Sequence, residues 1–428
     1  MKAAFYTLGC KVNQYESQAM SQCLENHGFE IVDCSEKADV YVINSCTVTA
    51  ESDRKTRQTV RHYKKQNPES IVVLTGCMPQ AWPEAGKELE QADIVMGNKS
   101  NRFLHDYIMD FINTRNRIFA VEEHMKGDAF CGDTITDFRE RTRASVKIED
   151  GCNRFCSYCI IPYARGRVRS KPLEELKNEI ASLEKNGFCE IVLVGINLSA
   201  YGTDCGSSIV EAVKTAASFD GIKRVRLGSL EPDHITDEII EELAKIPEFC
   251  PQFHISLQSG CDKTLKRMNR HYNCEEYRNL CKKLRSSFKD TTLTTDLMVG
   301  FPGETQEDFE TSLTFAKEIG FEKVHVFPYS IRPGTPAAKM TDQIEKSEKS
   351  KRAAIMIEET EKIRATFMKN QIGKVLEVLP EEFHGNCVQG YTANYTPVKI
   401  NGINEIPDGI IKAKITAVDG DFCIGEIL

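Results

Sequence analysis

Gly151-Cys152-Asn153-Arg154-Phe155-Cys156-Ser157-Tyr158-Cys159 carries three cysteines in the spacing C-x3-C-x2-C. Three thiolates this close in sequence can wrap one corner of a cubane iron–sulfur cluster, which ordinarily takes four cysteine ligands. With three, one iron stays open, as a catalytic metal site requires. A structural zinc site is the competing assignment, but zinc wants a fourth ligand and usually takes paired C-x2-C knuckles. The stretch directly follows a strand-like run, Ala144–Glu149. Five more such runs come after it: Glu190–Val194, Arg224–Gly228, Gln252–Leu257, Thr292–Val299 and Lys323–Tyr329. Helical stretches such as Leu173–Asn186 separate them. Six βα repeats predict a partial (β/α)6 barrel, short of the eight that close a full one. Barrel active sites lie at the C-terminal ends of the strands, and the three cysteines stand at such an end.

Outward from this core, residues 1–112 also alternate strand-like and helix-like runs. Ala3–Leu8, Val40–Asn44 and Ile71–Thr75 are short and β-branched or aromatic, which predicts an N-terminal parallel-sheet α/β domain. Residues 113–143 look like a linker, with Gly127, Gly132 and the charged run Arg139-Glu140-Arg141-Thr142-Arg143. The barrel domain is expected over 144–369. It ends in a charged helix with apolar positions at Ile355, Ile357, Ile363 and Phe367. From 370 to 428 the period changes to two. Lys374–Leu379, Val388–Thr392, Thr396–Ile400 and Ile410–Val418 predict a small all-β, OB-like barrel. The fold class is therefore α/β with a C-terminal all-β unit.

The chain has 428 residues, 41% hydrophobic and 28% charged, which is ordinary for a folded multidomain protein. A net charge of −8 means that contact with nucleic acid must come from local basic patches. Seventeen cysteines, mostly scattered, do not read as a disulfide scaffold. The few residues before the first strand-like run leave no room for a signal peptide. No run approaches the roughly 18 apolar residues of a membrane span. The expected compartment is the cytoplasm, where thiols stay reduced and can bind metal.

A second constellation lies in the N-terminal domain. Cys10, Cys46 and Cys77 are far apart in sequence, yet each ends a strand-like run, as Leu8-Gly9-Cys10, Asn44-Ser45-Cys46 and Thr75-Gly76-Cys77. Strand C-termini of a parallel sheet share one edge. Three cysteines there can converge on a second cluster, again with an open iron. The alternative is three ordinary buried cysteines. Cys23, Cys189 and Cys281 lack the pattern and are expected to be plain core or surface thiols.

Together these residues resemble the radical-SAM methylthiotransferases. The resemblance spans nearly the whole chain. Its pieces are Gly9-Cys10-Lys11-Val12-Asn13, Asn44-Ser45-Cys46, Gly76-Cys77, the C-x3-C-x2-C run and Arg165-Gly166-Arg167. They continue through Ser229-Leu230-Glu231-Pro232, His254–Gly260, Gly300–Glu304 and Arg332-Pro333-Gly334-Thr335. The resemblance implies a methylthiotransferase domain, a radical-SAM core and a C-terminal TRAM domain that binds RNA. It also implies two 4Fe-4S clusters and transfer of a methylthio group to an unactivated carbon. One S-adenosylmethionine methylates sulfur at the auxiliary cluster, and a second yields the 5′-deoxyadenosyl radical. Thr7–Glu16, with Lys11-Val12, looks like the branch acting on N6-threonylcarbamoyladenosine next to the anticodon of tRNA. The isopentenyladenosine branch usually has Gln-Met there and the ribosomal-protein branch Pro-Lys. A tRNA anticodon stem-loop, an electron donor such as flavodoxin or ferredoxin, and a sulfur source are the implied partners. A non-enzymatic iron–sulfur electron carrier is the remaining alternative.

For S-adenosylmethionine, Tyr158 is expected to brace the adenine. Gly195 and Asn197 follow the second barrel strand, where the family places its methionine-binding segment. Ser229 and Glu231 follow the third, and Glu231 can accept from ribose hydroxyls or the ammonium. Gln258 and Asp296 end later strands and are expected to face the same mouth. His254 reads as a satisfied core histidine. RNA binding needs cations along a backbone path. Arg54, Lys55, Arg57, Arg61, Lys64 and Lys65 offer one basic stretch, and Arg165, Arg167, Arg169 and Lys171 another. Solvated helix faces are the alternative for both.

Overall fold

The computed structural model describes residues 1–132, 134–136, 142–403 and 405–428. Six strands build the N-terminal sheet: β1 (Lys2–Thr7), β2 (Glu30–Val32), β3 (Val40–Ser45), β4 (Ile71–Gly76), β5 (Ile94–Met96) and β6 (Ile118–Ala120). Their order is β2-β1-β3-β4-β5-β6, and every pairing is parallel. Every residue of β3 and β4 is buried, as the continuous β-branched runs predict for strands covered on both faces. Val40, Val42, Ile71 and Val73 pack on one side; Tyr41, Ile43, Val72 and Leu74 pack on the other. Helices α1 (Lys11–Asn26) and α2 (Ala50–Gln66) provide part of that cover.

The sheet corrects the expected boundary at 112. Its sixth strand, β6, lies inside the segment read as a linker. Three residues with one neighbour leave little periodic signal. Arg117 fixes them instead, donating to the backbone carbonyls of Gly86, Lys87, Leu89 and Ala92. Further along, Ile135 is fully buried in the core of the next domain. Arg139, Glu140 and Arg141 of the charged run lie outside the described residues.

The second domain begins with β7 (Arg143–Lys147). A two-residue antiparallel pair, β8 (Glu149–Asp150) and β9 (Arg169–Ser170), brackets the cysteine stretch. Then come β10 (Glu190–Val194), β11 (Arg224–Leu227), β12 (Ser229–Leu230), β13 (Gln252–Ile255), β14 (Thr292–Val299) and β15 (Lys323–Pro328). Sheets β7-β10-β11 and β12-β13-β14-β15 are both parallel, and the third sequence run breaks at Gly228 into β11 and β12. The result is an arc of six barrel positions whose end strands, β7 and β15, do not pair among the described residues. Strand alternation sorts its side chains. Val146, Leu193, Val225, Phe253, Ile255, Leu293 and Leu297 face the surrounding helices in one core. The intervening residues face the lumen.

A long helix, Lys346–Lys369, leads into a closed barrel of β16 (Val375–Phe383), β17 (Cys387–Thr392), β18 (Pro397–Asn401), β19 (Ile411–Asp419) and β20 (Phe422–Ile427). This small barrel docks at the N-terminal ends of the arc's strands. Arg224 donates to the carbonyls of Glu377 (2.9 Å) and Tyr391 (3.1 Å), and Arg226 to that of Ala393 (2.8 Å). Tyr391 and Tyr395 stack at 4.5 Å, with Arg143 and Arg226 against the Tyr395 ring.

Candidate active site

The cysteine stretch leaves β8 through Gly151, whose φ of +87° brings its backbone against the Arg167 and Gly166 carbonyls. A side chain there would collide with that backbone, so the turn requires glycine. The Cys152 amide donates to the Gly166 carbonyl (3.0 Å), and the Cys159 amide to the Cys156 carbonyl (3.0 Å). Ser157 ties the loop outward, its amide donating to the Met268 carbonyl (2.9 Å) and its carbonyl accepting from Ala337 (2.8 Å). Arg270 donates to Cys156 Sγ at 3.2 Å, to the Tyr272 hydroxyl at 3.0 Å and to the Glu231 carboxylate. Burial, and then repulsion from Cys156, pushes the Cys152 thiol up to about 12; the same causes raise Cys159. Buried thiols raised in this way suit a cationic group beside them, because a bound metal inverts the local balance. Among the described residues no group of three His, Cys, Asp or Glu side chains is arranged to hold a single metal ion. A cluster differs, since each thiolate ligates a different iron.

Beside this loop lie buried polar atoms without a hydrogen-bond partner among the described residues: Glu149 Oε1, Asn197 Oδ1 and Gln258 Oε1. Buried polar groups are normally satisfied, so such atoms mark places for a polar ligand. Glu149 Oε2 accepts from the Asn197 amide at 2.7 Å, and a Cβ on Gly195 would come within 2.7 Å of the same oxygen. Burial pushes the Glu149 carboxyl well above its usual range. Gln258 sits at φ +65°, its amide donating to the Asp296 carbonyl at 2.9 Å. The Glu231 amide donates to Ser199 Oγ at 2.7 Å. Tyr158 packs edge-on to Phe301 at 6.4 Å, in a cluster with Met268 and Met298. Glu149 and Arg270 were not among the residues singled out from sequence. Glu149 was discoverable, since it closes the strand before the cysteines. Arg270, which follows the helix Asp262–Arg267, carries no local signal.

The second cysteine set assembles at one sheet edge. Cys10 caps α1 and is exposed; Cys46 follows β3 and is buried; Cys77 opens the helix Cys77–Ala81 and is buried. Gly9, at φ +118°, lies so close that a Cβ on it would come within 2.9 Å of Cys46 Cβ. Asn13 pins the edge, donating to the carbonyls of Leu8 and Ser45 at 3.0 Å each. Burial pushes the Cys77 thiol up to about 12; Arg165 opposes this, while Cys46 and Cys10 add to it. Cys10 opens on a cavity of about 900 Å³ that Gly195, Ser229 and Asp296 also line.

The model of the radical SAM superfamily matches residues 146–316, and that of an uncharacterized protein family, UPF0004, matches residues 2–97. The threonylcarbamoyladenosine tRNA methylthiotransferase MtaB of Bacillus subtilis is 39% identical over 96% of this chain and 93% of its own length. The protein of the same name from Thermotoga maritima is 37% identical over 97% of both chains. A tRNA-2-methylthio-N(6)-dimethylallyladenosine synthase of Clostridium botulinum is 34% identical over 98% of this chain and 95% of its own. The chain belongs to the radical-SAM methylthiotransferases. Membership implies a 4Fe-4S cluster and S-adenosylmethionine. The fold also matches the radical S-adenosylmethionine methyltransferase TsrM of Kitasatospora setae, with a TM-score of 0.58, 15% identity, and 79% and 77% of the two chains covered.

For a methylthiotransferase, the basic residues fall in unexpected places. Arg165 is fully buried, bidentate on Glu16 (2.7 and 2.9 Å) and bonded to Asp150 (3.1 Å) and Asn13 (2.9 Å). Arg169 is buried, donating to the carbonyls of Arg165 and Arg167, and Lys171 is buried against Glu179. These three are internal countercharges, which corrects their reading as RNA contacts; of that stretch Arg167 alone reaches the surface. On α2, Arg54, Lys55, Arg61 and Lys65 are exposed and Arg57 is half-buried, while Lys64 pairs with Asp93 at 2.8 Å. His254 is no core histidine, since its ring lines the cavity. No helix among the described residues is long and apolar enough to cross a membrane.

Proposed function

We propose that this chain attaches a methylthio group to C2 of N6-threonylcarbamoyladenosine beside the anticodon of tRNA. The observation that carries the reading is the shared cavity, in which Cys10 stands across from Gly195, Ser229 and Asp296. In this reading Cys152, Cys156 and Cys159 hold the 4Fe-4S cluster of the radical-SAM core. Tyr158, Gly195, Asn197, Ser229, Glu231, Gln258 and Asp296 surround S-adenosylmethionine. Cys10, Cys46 and Cys77 hold a second 4Fe-4S cluster and thereby the sulfur site. When bound, these groups supply the 5′-deoxyadenosyl radical and the methylthio group, with two S-adenosylmethionine per turnover. The chain's own residues do the placing. Arg270 holds Cys156 and Glu231 in register, and Glu149 fixes the Asn197 backbone.

Relatives named for threonylcarbamoyladenosine, at 34–39% identity, support the choice of nucleoside over relatives named for dimethylallyladenosine, at 34–36%. Arg54, Lys55, Arg57 and Arg167, with the C-terminal barrel, are the proposed RNA contacts. An anticodon-loop base is unpaired, so extruding it into the cavity costs little. We place the protein in the cytoplasm, with a flavodoxin- or ferredoxin-type electron donor and a separate sulfur source. Mass spectrometry of tRNA nucleosides from a strain lacking this gene tests the proposal. The methylthiolated threonylcarbamoyl nucleoside is expected to vanish and to return on complementation. Unchanged levels would refute it, and loss of the methylthiolated isopentenyl nucleoside instead would establish the other branch.

A further inference from the structure

Barrel lumens are ordinarily filled by branched apolar side chains. Here three adjacent strands send polar groups inward. Gln252 and His254 come from β13, Thr294 and Asp296 from β14, and Lys323 and His325 from β15, and all six line the 900 Å³ cavity. Register makes them neighbours, because His254 is paired with Thr294, Thr294 with Lys323, and Asp296 with His325. His254 Nδ1 lies 3.0 Å from Thr294 Oγ1. Its Nε2 is buried with no hydrogen-bond partner among the described residues, 3.4 Å from Asp296 Oδ2. The His325 ring, 5.8 Å from that of His254, is exposed to the cavity. Lys323, half-buried on the same wall, keeps only a long 3.5 Å approach to Glu361, whereas Arg364 is held by Asp421 at 3.1 Å.

We infer that His254, His325 and Lys323 form a subsite for the carboxylate of the substrate's N6 substituent, with Asp296 accepting from its hydroxyl or urea N–H. The inference rests on the proposed function and names what selects the nucleoside. A threonylcarbamoyl group carries an anion together with hydrogen-bond donors, and the subsite offers imidazole and ammonium donors beside one carboxylate acceptor. An isopentenyl group would fill the cavity yet leave these polar groups unpaired against it, which is the arrangement that rejects an apolar analogue most strongly.

The test uses the full-length reconstituted enzyme and three anticodon stem-loop RNAs. One carries N6-threonylcarbamoyladenosine, one its methyl ester and one isopentenyladenosine. Methylthiolated product is read by mass spectrometry as kcat/KM. Wild type is expected to prefer the acid over the ester by about 10- to 100-fold, the range for loss of one charged hydrogen-bonded contact. His325→Leu and Lys323→Met should each bring that ratio to within about threefold of unity, since it is the difference that the subsite supplies. Where a variant turns over neither RNA, the ratio of the two dissociation constants is read instead, with the same expectation. Equal use of acid and ester by wild type overturns the inference, as do variants that keep the wild-type ratio. Product from the isopentenyl RNA alone overturns the proposed function itself, and so separates the two failures.

Discussion

Arg165→Met removes a guanidinium that joins two domains. In the wild type it binds Glu16 of α1 through both nitrogens, Asp150 of β8, and the Asn13 side chain that pins the cysteine edge. Lys147, which bonds Glu16 at 2.8 Å and Asp150 at 2.7 Å, and Arg169, 3.4 Å from Asp150, complete the group. Two buried carboxylates thus face three cations; the substitution leaves two and orphans one Glu16 oxygen. Breaking a buried ion pair from one side costs about 3–5 kcal/mol. At ~2–4 °C per kcal/mol for a domain of this size, the unfolding midpoint should fall by about 6–20 °C at neutral pH. The difference depends on pH with a definite sign. Burial alone would raise the Asp150 carboxyl, but Lys147, Arg165 and Arg169 together hold it well below its usual range. Its contribution is therefore present above the unfolded carboxylate value near 4 and is lost as pH falls below it. Calorimetry of both proteins from pH 2 to 8 reads the gap, which should stay constant above about pH 5 and narrow as pH falls below about 4. Binding of tRNA supplies the second measurement. A residue buried in an ion network releases no phosphate counterion, so Arg165→Met should keep the salt slope, whereas Arg167→Met should reduce it by about one. A stability loss under about 1 kcal/mol together with a reduced salt slope would refute the internal role of Arg165, because it would match a surface contact.

Two further outcomes are expected. Cys156→Ala should abolish formation of 5′-deoxyadenosine from S-adenosylmethionine, while Cys46→Ala should retain part of it and yield no methylthiolated product; intact cleavage in the first variant would mean that the catalytic cluster sits elsewhere. Glu149 is buried, and burial raises its carboxyl well above the unfolded value near 4.3. Its protonated form therefore contributes stability below that value, and the contribution is lost as pH rises through the folded pKa. The protein without cofactors should lose stability at up to ~1.4 kcal/mol per pH unit within that window, and Glu149→Gln should flatten the slope; denaturant titration at pH 5 and 8 reads the difference, and equal slopes would show that Glu149 ionises freely in the fold.

How much of this was legible follows from how local each signal is. The three barrel cysteines announce themselves within one loop. The second set is readable because each cysteine follows a β-branched run, and parallel strands align their ends. Arg165, Arg169 and Lys171 were misread because the chain turns from the helix Ile161–Arg165 through Gly166 into β9, which breaks any single face across the stretch. Arg167 points out, and the others point toward Glu16, Asp150 and Glu179, countercharges that sequence adjacency does not reveal. Strand β6 was hidden by its length, since three residues carry no period. His254 was assigned to the core because a lone strand histidine usually is a core residue. Which face of β13 it occupies depends on a register set by β14, and that register turns it into the lumen.

The C-terminal barrel also closes one end of the cavity. Glu190 is fully buried at the lumen floor, 3.1 Å from Arg226, 3.5 Å from Arg224 and 3.9 Å from Arg143. One carboxylate cannot satisfy three guanidiniums. The remainder of their hydrogen bonds go to the small barrel, to its Glu377, Tyr391, Thr392 and Ala393 carbonyls and the Glu381 carboxylate. Thr292 and Asn394 add a bond in the same seam. Swinging the barrel away would leave several buried donors unpaired at once, so its seat is fixed by the floor of the cavity it closes. Tyr391, Asn394 and Tyr395 line that cavity directly. The small barrel and the arc therefore wall one cavity as a single packed unit, and the arc stays open between β7 and β15 among the described residues.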